Sequence, residues 1–162
     1  MNIARINVNT GGDPTPGYQG DEGRFRDLEA LVGKPLPASY IEFLRTHDGG
    51  HPEASSFFPP GEDDYDYSHE INSFYTLSDG KACVFNAFKS WRETLGEGIL
   101  PIANDSGNNQ IYLDLNETPP PVCMWLHDVE ELDENGESVE DFLVADSFEA
   151  FIDGLTIDLN LI

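Results

Sequence analysis

Apolar positions in this chain repeat with two periods, and the period changes along the sequence. From residue 21 to 48 the spacing is three or four. Phe25, Leu28, Leu31 and Val32 form one set, and Tyr40, Ile41, Phe43 and Leu44 a second. That spacing predicts two amphipathic helices. Asp21 and Glu22 open the first, and Gly33 ends it because glycine accepts the left-handed terminal conformation. Leu36-Pro37 begins the second, proline being suited to a first turn, and Asp48-Gly49-Gly50 stops it. A third helical face runs through Phe85, Phe88, Trp91 and Leu95, within residues 80–95. A fourth runs through Phe148, Phe151, Ile152 and Leu155, with Asp146 as the expected cap and Glu149 reaching back to it.

Elsewhere the pattern alternates, as strands do. Residues 2–8 alternate weakly through Ile6 and Val8. Residues 70–77 place Ile71, Ser73, Tyr75 and Leu77 on one side. Residues 99–103 are apolar, residues 109–115 set Ile111, Leu113 and Leu115 in phase, and residues 121–127 follow a run of prolines. Asp105-Ser106-Gly107-Asn108 has the composition of a turn. Residues 10–20 read as a connection, and residues 51–69 and 128–141 as long acidic loops. Helices first, then mostly strands, then a helix predicts an α+β fold, an antiparallel sheet flanked by helices. The expected organisation is an N-terminal strand and linker over 1–21 and one domain over 22–162.

The 162 residues suit about one domain with its own core. Charge changes the picture more than length does. Asp and Glu number 31 against 8 Lys and Arg, a formal net charge of -23. Nucleic acids and anionic lipids are bound through Lys and Arg, so neither is an expected partner. Such a field attracts cations and basic proteins. Solubility, or life at high salt, is the other reading of the same charge.

The sequence offers little for catalysis. Cys83 and Cys123 each lie in an apolar run and read as buried free thiols, with a single pairing between them left open. Two cysteines do not make the framework of a secreted scaffold. MNIARINVNT lacks the apolar core of a signal peptide, and no apolar run approaches membrane-helix length, so a cytoplasmic location is expected. His47 and His51 are four apart, but Gly49-Gly50 breaks the helix that would bring them together. His69 and His127 have no nucleophile beside them. Asn104–Asn108 lacks the acidic ligands of a calcium loop. No Walker loop, nucleophile elbow or dinucleotide fingerprint occurs. Neither enzymatic activity, nor a metal, nor a cofactor is expected.

Four segments in order resemble the SUKH superfamily, the Smi/Knr family. The first is Leu28-Glu29, Leu36-Pro37 and Tyr40-Ile41-Glu42-Phe43-Leu44, followed by Asp48-Gly49-Gly50. The second is Leu100–Asn108 with Ile111–Leu115, the third Val122 with Trp125-Leu126-His127-Asp128, and the fourth Ala145–Phe151. Asp48 stands where the family usually has Asn, and residues 1–20 fall outside the pattern. The resemblance implies an α+β fold and no shared catalytic residues. For bacterial members it implies immunity proteins that neutralise polymorphic toxins, many of them nucleases; fungal members regulate cell-wall synthesis.

Charge and resemblance converge on an immunity protein that binds a basic toxin domain, a nuclease being the expected type. The alternative is a non-catalytic scaffold or regulatory binding module. The expected partner-binding residues are Phe57, Phe58, Glu62, Asp63, Asp64, Tyr65, Asp66 and Tyr67 in one loop. The other loop supplies Asp128, Glu130, Glu131, Asp133 and Glu134. Aromatics beside carboxylates suit a protein interface; the same aromatics could instead fold back into the core.

Overall fold

The computed structural model describes residues 1–60, 68–126 and 141–157. Among these residues, four α-helices and three antiparallel sheets form the α+β fold that the sequence predicts. The helices are α1 (Gly23–Val32), α2 (Ala38–Thr46), α3 (Val84–Leu95) and α4 (Phe148–Gly154). The main sheet joins β6 (Ser73–Phe74), β7 (Ile99–Asn104), β8 (Gln110–Asp114), β9 (Val122–Trp125) and β10 (Asp141–Ala145), in the spatial order β10-β9-β8-β7-β6. A small sheet pairs β1 (Val8–Thr10) with β2 (Asp13–Pro14) and β3 (His51–Pro52), and β4 (Ser56–Phe57) pairs with β5 (His69–Glu70).

The first two helices form where the apolar period places them. Phe25, Leu28 and Val32 of α1 are buried, and Gly33 closes the helix at φ 82° with its N–H on the Glu29 carbonyl. Glu29 then turns its carboxylate to the next element and accepts the Leu36 N–H at 2.7 Å. This bond fixes the entry to α2, whose Tyr40, Phe43 and Leu44 are buried. Phe43 packs on Phe74 at 4.6 Å and on Phe148 at 5.6 Å between ring centroids, so α2, α4 and the sheet share one core.

Register sorts the main sheet into two faces, because directly paired residues point the same way. Phe74, Ala103, Ile111 and Met124 lie in one row, and Leu100, Leu113 and Val122 in another; all are buried on the face toward α2 and α4. Asn104, Gln110, Trp125 and Asp141 form a row of the opposite face, and Pro101, Tyr112, Cys123 and Leu143 the row beside it. Helix α3 lies on this second face. It packs along β7, and Trp91 reaches Trp125 at 5.1 Å.

Several local expectations are corrected. Residues 2–8 do not form a strand: Ala4–Ile6 is a 3₁₀ turn, and Asn7 takes a left-handed φ of 47°. The turn brings Ile3, Ile6 and Val8 all inward, so this N-terminal segment contributes to the core. Residues 70–77 are not one strand: Glu70 ends β5, Ser73 and Phe74 form β6, and Phe74 rather than Ser73 is buried. Ser147, not Asp146, caps α4, its Oγ accepting the Ala150 N–H at 3.1 Å. The β10 strand was not expected; its five residues adjoin an acidic run that masks their pattern. Cys83 and Cys123 are both free, the first buried and the second half-buried.

Candidate partner-binding surface

The structure offers two acidic surfaces: one whose carboxylates tie elements of the fold together, and one where Glu117 and Asp146 are exposed while Asp114 and Asp141 each accept a hydrogen bond, from the Asn116 N–H and the Tyr112 hydroxyl.

The first is a cleft of about 600 Å³ between residues 15–21, α1 and the Ser78-Asp79 turn. Asp48 lies in it, at the end of the α2 segment. Its Oδ1 accepts the N–H groups of Leu77 (2.6 Å) and Ser78 (3.3 Å), and its Oδ2 accepts the Ser78 hydroxyl. The two N–H groups need an acceptor, which one oxygen supplies, while the hydroxyl partner of the other oxygen can donate or accept. Arg24 spans the same turn, donating from Nε to the Leu77 carbonyl (2.5 Å) and from Nη2 to Asp79 (2.8 Å) while lying 4.3 Å over the Phe85 ring. Asp21 Oδ1 accepts the Gly23 N–H at 2.8 Å. The cleft is chiefly a joint between elements.

Gly49 and Gly50 complete that joint. Gly50 has φ +115° and exchanges backbone hydrogen bonds with Phe74, linking the small sheet to the main one. A Cβ there would stand 2.5 Å from Thr15 Oγ1 and 3.0 Å from the Asn9 carbonyl. The histidines serve the same packing. His47 Nδ1 is 2.5 Å from the Thr15 carbonyl, and His51 Nδ1 is 2.7 Å from that of Asn72. Among the described residues no three His, Cys, Asp or Glu side chains converge as a metal site, and no helix is long and apolar enough to cross a membrane. His127 lies outside the described residues.

The second surface is the β8–β9–β10 part of the sheet face beyond α3. Tyr112, Cys123 and Leu143 are register neighbours across the three strands. Tyr112 is buried and Cys123 half-buried, while Leu143 is 42% exposed. The Tyr112 hydroxyl donates to Asp141 at 3.2 Å. Burial pushes the Cys123 thiol up to about 11, and the nearby Asp114, Asp141 and Glu117 carboxylates add to the rise. Tyr112 is raised by burial as well. Both groups therefore stay protonated near neutral pH, and Cys123 has the opposite of a reactive thiol's environment.

Of the expected contact residues, the structure describes two. Phe57 is 4% exposed, stacking on His69 at 5.7 Å and packing edge-on against Phe151 at 5.6 Å. It is a core residue and not an exposed anchor. The reason is a long-range contact: Ser56 and Thr156 exchange backbone hydrogen bonds of 2.9 Å each, drawing this segment onto the C-terminal helix. Phe58 is half-buried beside Val144 and Phe151. Glu62, Asp63, Asp64, Tyr65, Asp66 and Tyr67 lie outside the described residues, as do Asp128, Glu130, Glu131, Asp133 and Glu134.

Sequence reasoning missed how unevenly the charge is distributed. All eight Lys and Arg fall between Arg5 and Arg92, and the seventy residues after Arg92 carry 17 Asp and Glu with no Lys or Arg. The last cation, Arg92, is held by Glu97 through two bonds of 2.9 Å. Counting charge by segment instead of over the whole chain would have found this.

The helices leading into an antiparallel sheet, the Leu-Pro entry to α2 and the glycine joint define a protein of the SUKH class. The chain belongs to the SMI1 / KNR4 family (SUKH-1), whose model matches residues 20–154. It is similar to the SPbeta prophage-derived uncharacterized protein YokK of Bacillus subtilis (strain 168), being 24% identical over 145 residues that cover 80% of this chain and 71% of the relative. The family includes immunity proteins.

Proposed function

We propose that this protein is an immunity protein that binds a basic toxin domain, of nuclease type, and neutralises it. Family membership makes immunity the leading role. The observation that carries the partner's chemistry is the block of 17 carboxylates without one Lys or Arg after residue 92. A nuclease needs a cationic groove to hold its substrate. An acidic protein can cover that groove and is drawn to it from a distance. Binding is the chemistry that the described surfaces support, since their carboxylates meet no nucleophile.

The reading is tested by asking whether a gene beside its own encodes a toxin domain, and co-expressing the protein with that domain. Cells should survive with the protein and die without it. Association of the purified pair should reach about 10⁸ M⁻¹s⁻¹ at low salt and fall steeply as salt shortens the Debye length from about 30 Å at 0.01 M to 3 Å at 1 M. Neutralising Asp63, Asp64 and Asp66 to Asn should slow association with little change in dissociation, and Tyr65→Ala should do the reverse. Tight binding without protection would make the protein a scaffold or regulatory module; salt-independent association would reduce the charge to a solubility device.

A further inference from the structure

The half of the second sheet face that α3 leaves open has the build of an interface core with a charged rim. Along β8 to β10 the row runs from buried Tyr112 through half-buried Cys123 to Leu143, and among the described strands Leu143 is the most exposed large apolar side chain. Beside it the Glu117–Pro121 turn, Cys123, Leu143 and Asp146 enclose a shallow hollow of about 520 Å³. The rim is of one sign: Glu117, Asp141 and Asp146 are exposed, and Asp114 is half-buried. No Lys or Arg occurs anywhere on β7 to β10 or their described connections.

We infer that this β8–β9–β10 face is the docking surface for the basic partner protein. It receives an apolar side chain in the hollow beside Cys123 and Leu143, and Lys or Arg around it on Glu117, Asp141 and Asp146. The inference rests on the immunity reading and names the surface that would serve it. Charge selects the occupant. A second copy of this chain would bring the same four carboxylates against themselves, since a two-fold interface pairs each patch with its equal, and like charges across an interface cost several kcal/mol. Anionic lipid and nucleic acid are repelled likewise. A cationic protein gains on both counts, burying apolar area at the centre and pairing charge at the rim.

The test uses the full-length protein and a catalytically inactive form of the toxin domain encoded beside its gene. Leu143→Arg places a cation at the centre of the face, on a side chain exposed enough to leave folding intact. The pair Asp141→Lys and Asp146→Lys reverses the rim. Each variant should weaken toxin binding about 10- to 100-fold, while Asp27→Lys at the other cleft should change it less than about threefold. Circular dichroism melts unchanged from wild type show that the variants are folded. If the wild type binds and the face variants bind equally well, the surface is wrong and the immunity reading stands. If the wild type does not bind or protect, the immunity reading fails. The surface is then read directly: an amphipathic Leu/Lys peptide titrated into ¹⁵N-labelled protein should shift the amides of Cys123, Trp125 and Leu143, and should not do so in Leu143→Arg. Shifts elsewhere, or a wild-type dimer in sedimentation that Leu143→Arg makes monomeric, would overturn the assignment.

Discussion

The cleft around Asp48 and the sheet face around Cys123 are both acidic, yet their carboxylates are tied into the fold to different degrees: on the sheet face Asp114 and Asp141 accept one hydrogen bond each. In the cleft, Asp48 accepts from Leu77 and Ser78, Asp21 from the start of α1, and Asp79 from Arg24. On the sheet face, Glu117 and Asp146 point from exposed positions with no cation in the surrounding strands. Carboxylates that satisfy backbone donors hold the fold together; carboxylates left in water are available to a partner. A net charge of -23 does not distinguish the two. Only the hydrogen-bond partners do.

This contrast can be broken most strongly at the joint. Gly50→Val should destabilise by about 3 kcal/mol or more, combining backbone strain at positive φ with an overpacked contact at Thr15. Urea unfolding should show the lower midpoint; an unchanged midpoint would mean that the sheets are not joined through this residue. Asp48→Ala comes next, at about 2–3 kcal/mol, because it strands the donors of Leu77 and Ser78. Asp48→Asn should recover part of this loss, retaining one acceptor oxygen. Neither substitution should alter toxin affinity in the fraction that remains folded.

The sheet face should respond in the other sense. Neutralising Glu117, Asp141 and Asp146 to their amides should change stability by no more than about 0.5–1 kcal/mol and in the stabilising direction, since it relieves like-charge repulsion. Raising salt should increase the melting temperature of the wild type more than that of this triple variant, because screening has less repulsion left to remove. A triple variant that unfolds readily would show these carboxylates to be structural after all.

The smallest effect sharpens the electrostatics at the centre of the face. The folded state holds the Cys123 thiol at about 11, above the ordinary thiol value of about 8.5. The protonated form is therefore favoured by folding, and this contribution is complete at neutral pH and below. It is lost as pH rises from the ordinary thiol range through about 11. Iodoacetamide should thus modify Cys123 in the native protein far more slowly at pH 9 than in urea, with the native rate climbing toward pH 11. In Asp141→Asn the climb should begin at lower pH, since one of the carboxylates opposing the thiolate is gone.

Much of the fold was legible because local physics wrote it. The periods at Phe25–Val32 and Tyr40–Leu44 placed α1 and α2, and Gly33 marked a helix end that the backbone confirms at φ 82°. The in-phase Ile111 and Leu113 placed β8. The errors fall where a long-range partner decides. Phe57 read equally well as an exposed anchor or a folded-back core residue, and its burial depends on Thr156, a hundred residues away in sequence. Residues 70–77 carry strand-like alternation, but after Tyr75, whose N–H still meets the Ile102 carbonyl, the chain leaves the sheet and Asp48 captures Leu77 and Ser78.

The sequence by itself determined the helical faces, the α+β class, the acidity and the family, because each rests on residue type and spacing along the chain. It also held the absence of Lys and Arg after Arg92, visible to anyone counting by segment. The tertiary structure alone decided which carboxylates are engaged. Asp48 and Asp141 are the same residue type, each at the edge of an element. Asp48 accepts two backbone N–H groups and a hydroxyl, while Asp141 accepts one hydroxyl, from Tyr112, and is otherwise exposed beside Leu143. Strand order and register bring those neighbours together across gaps of roughly twenty to thirty residues in sequence, and hydrogen bonding is a property of neighbours in space.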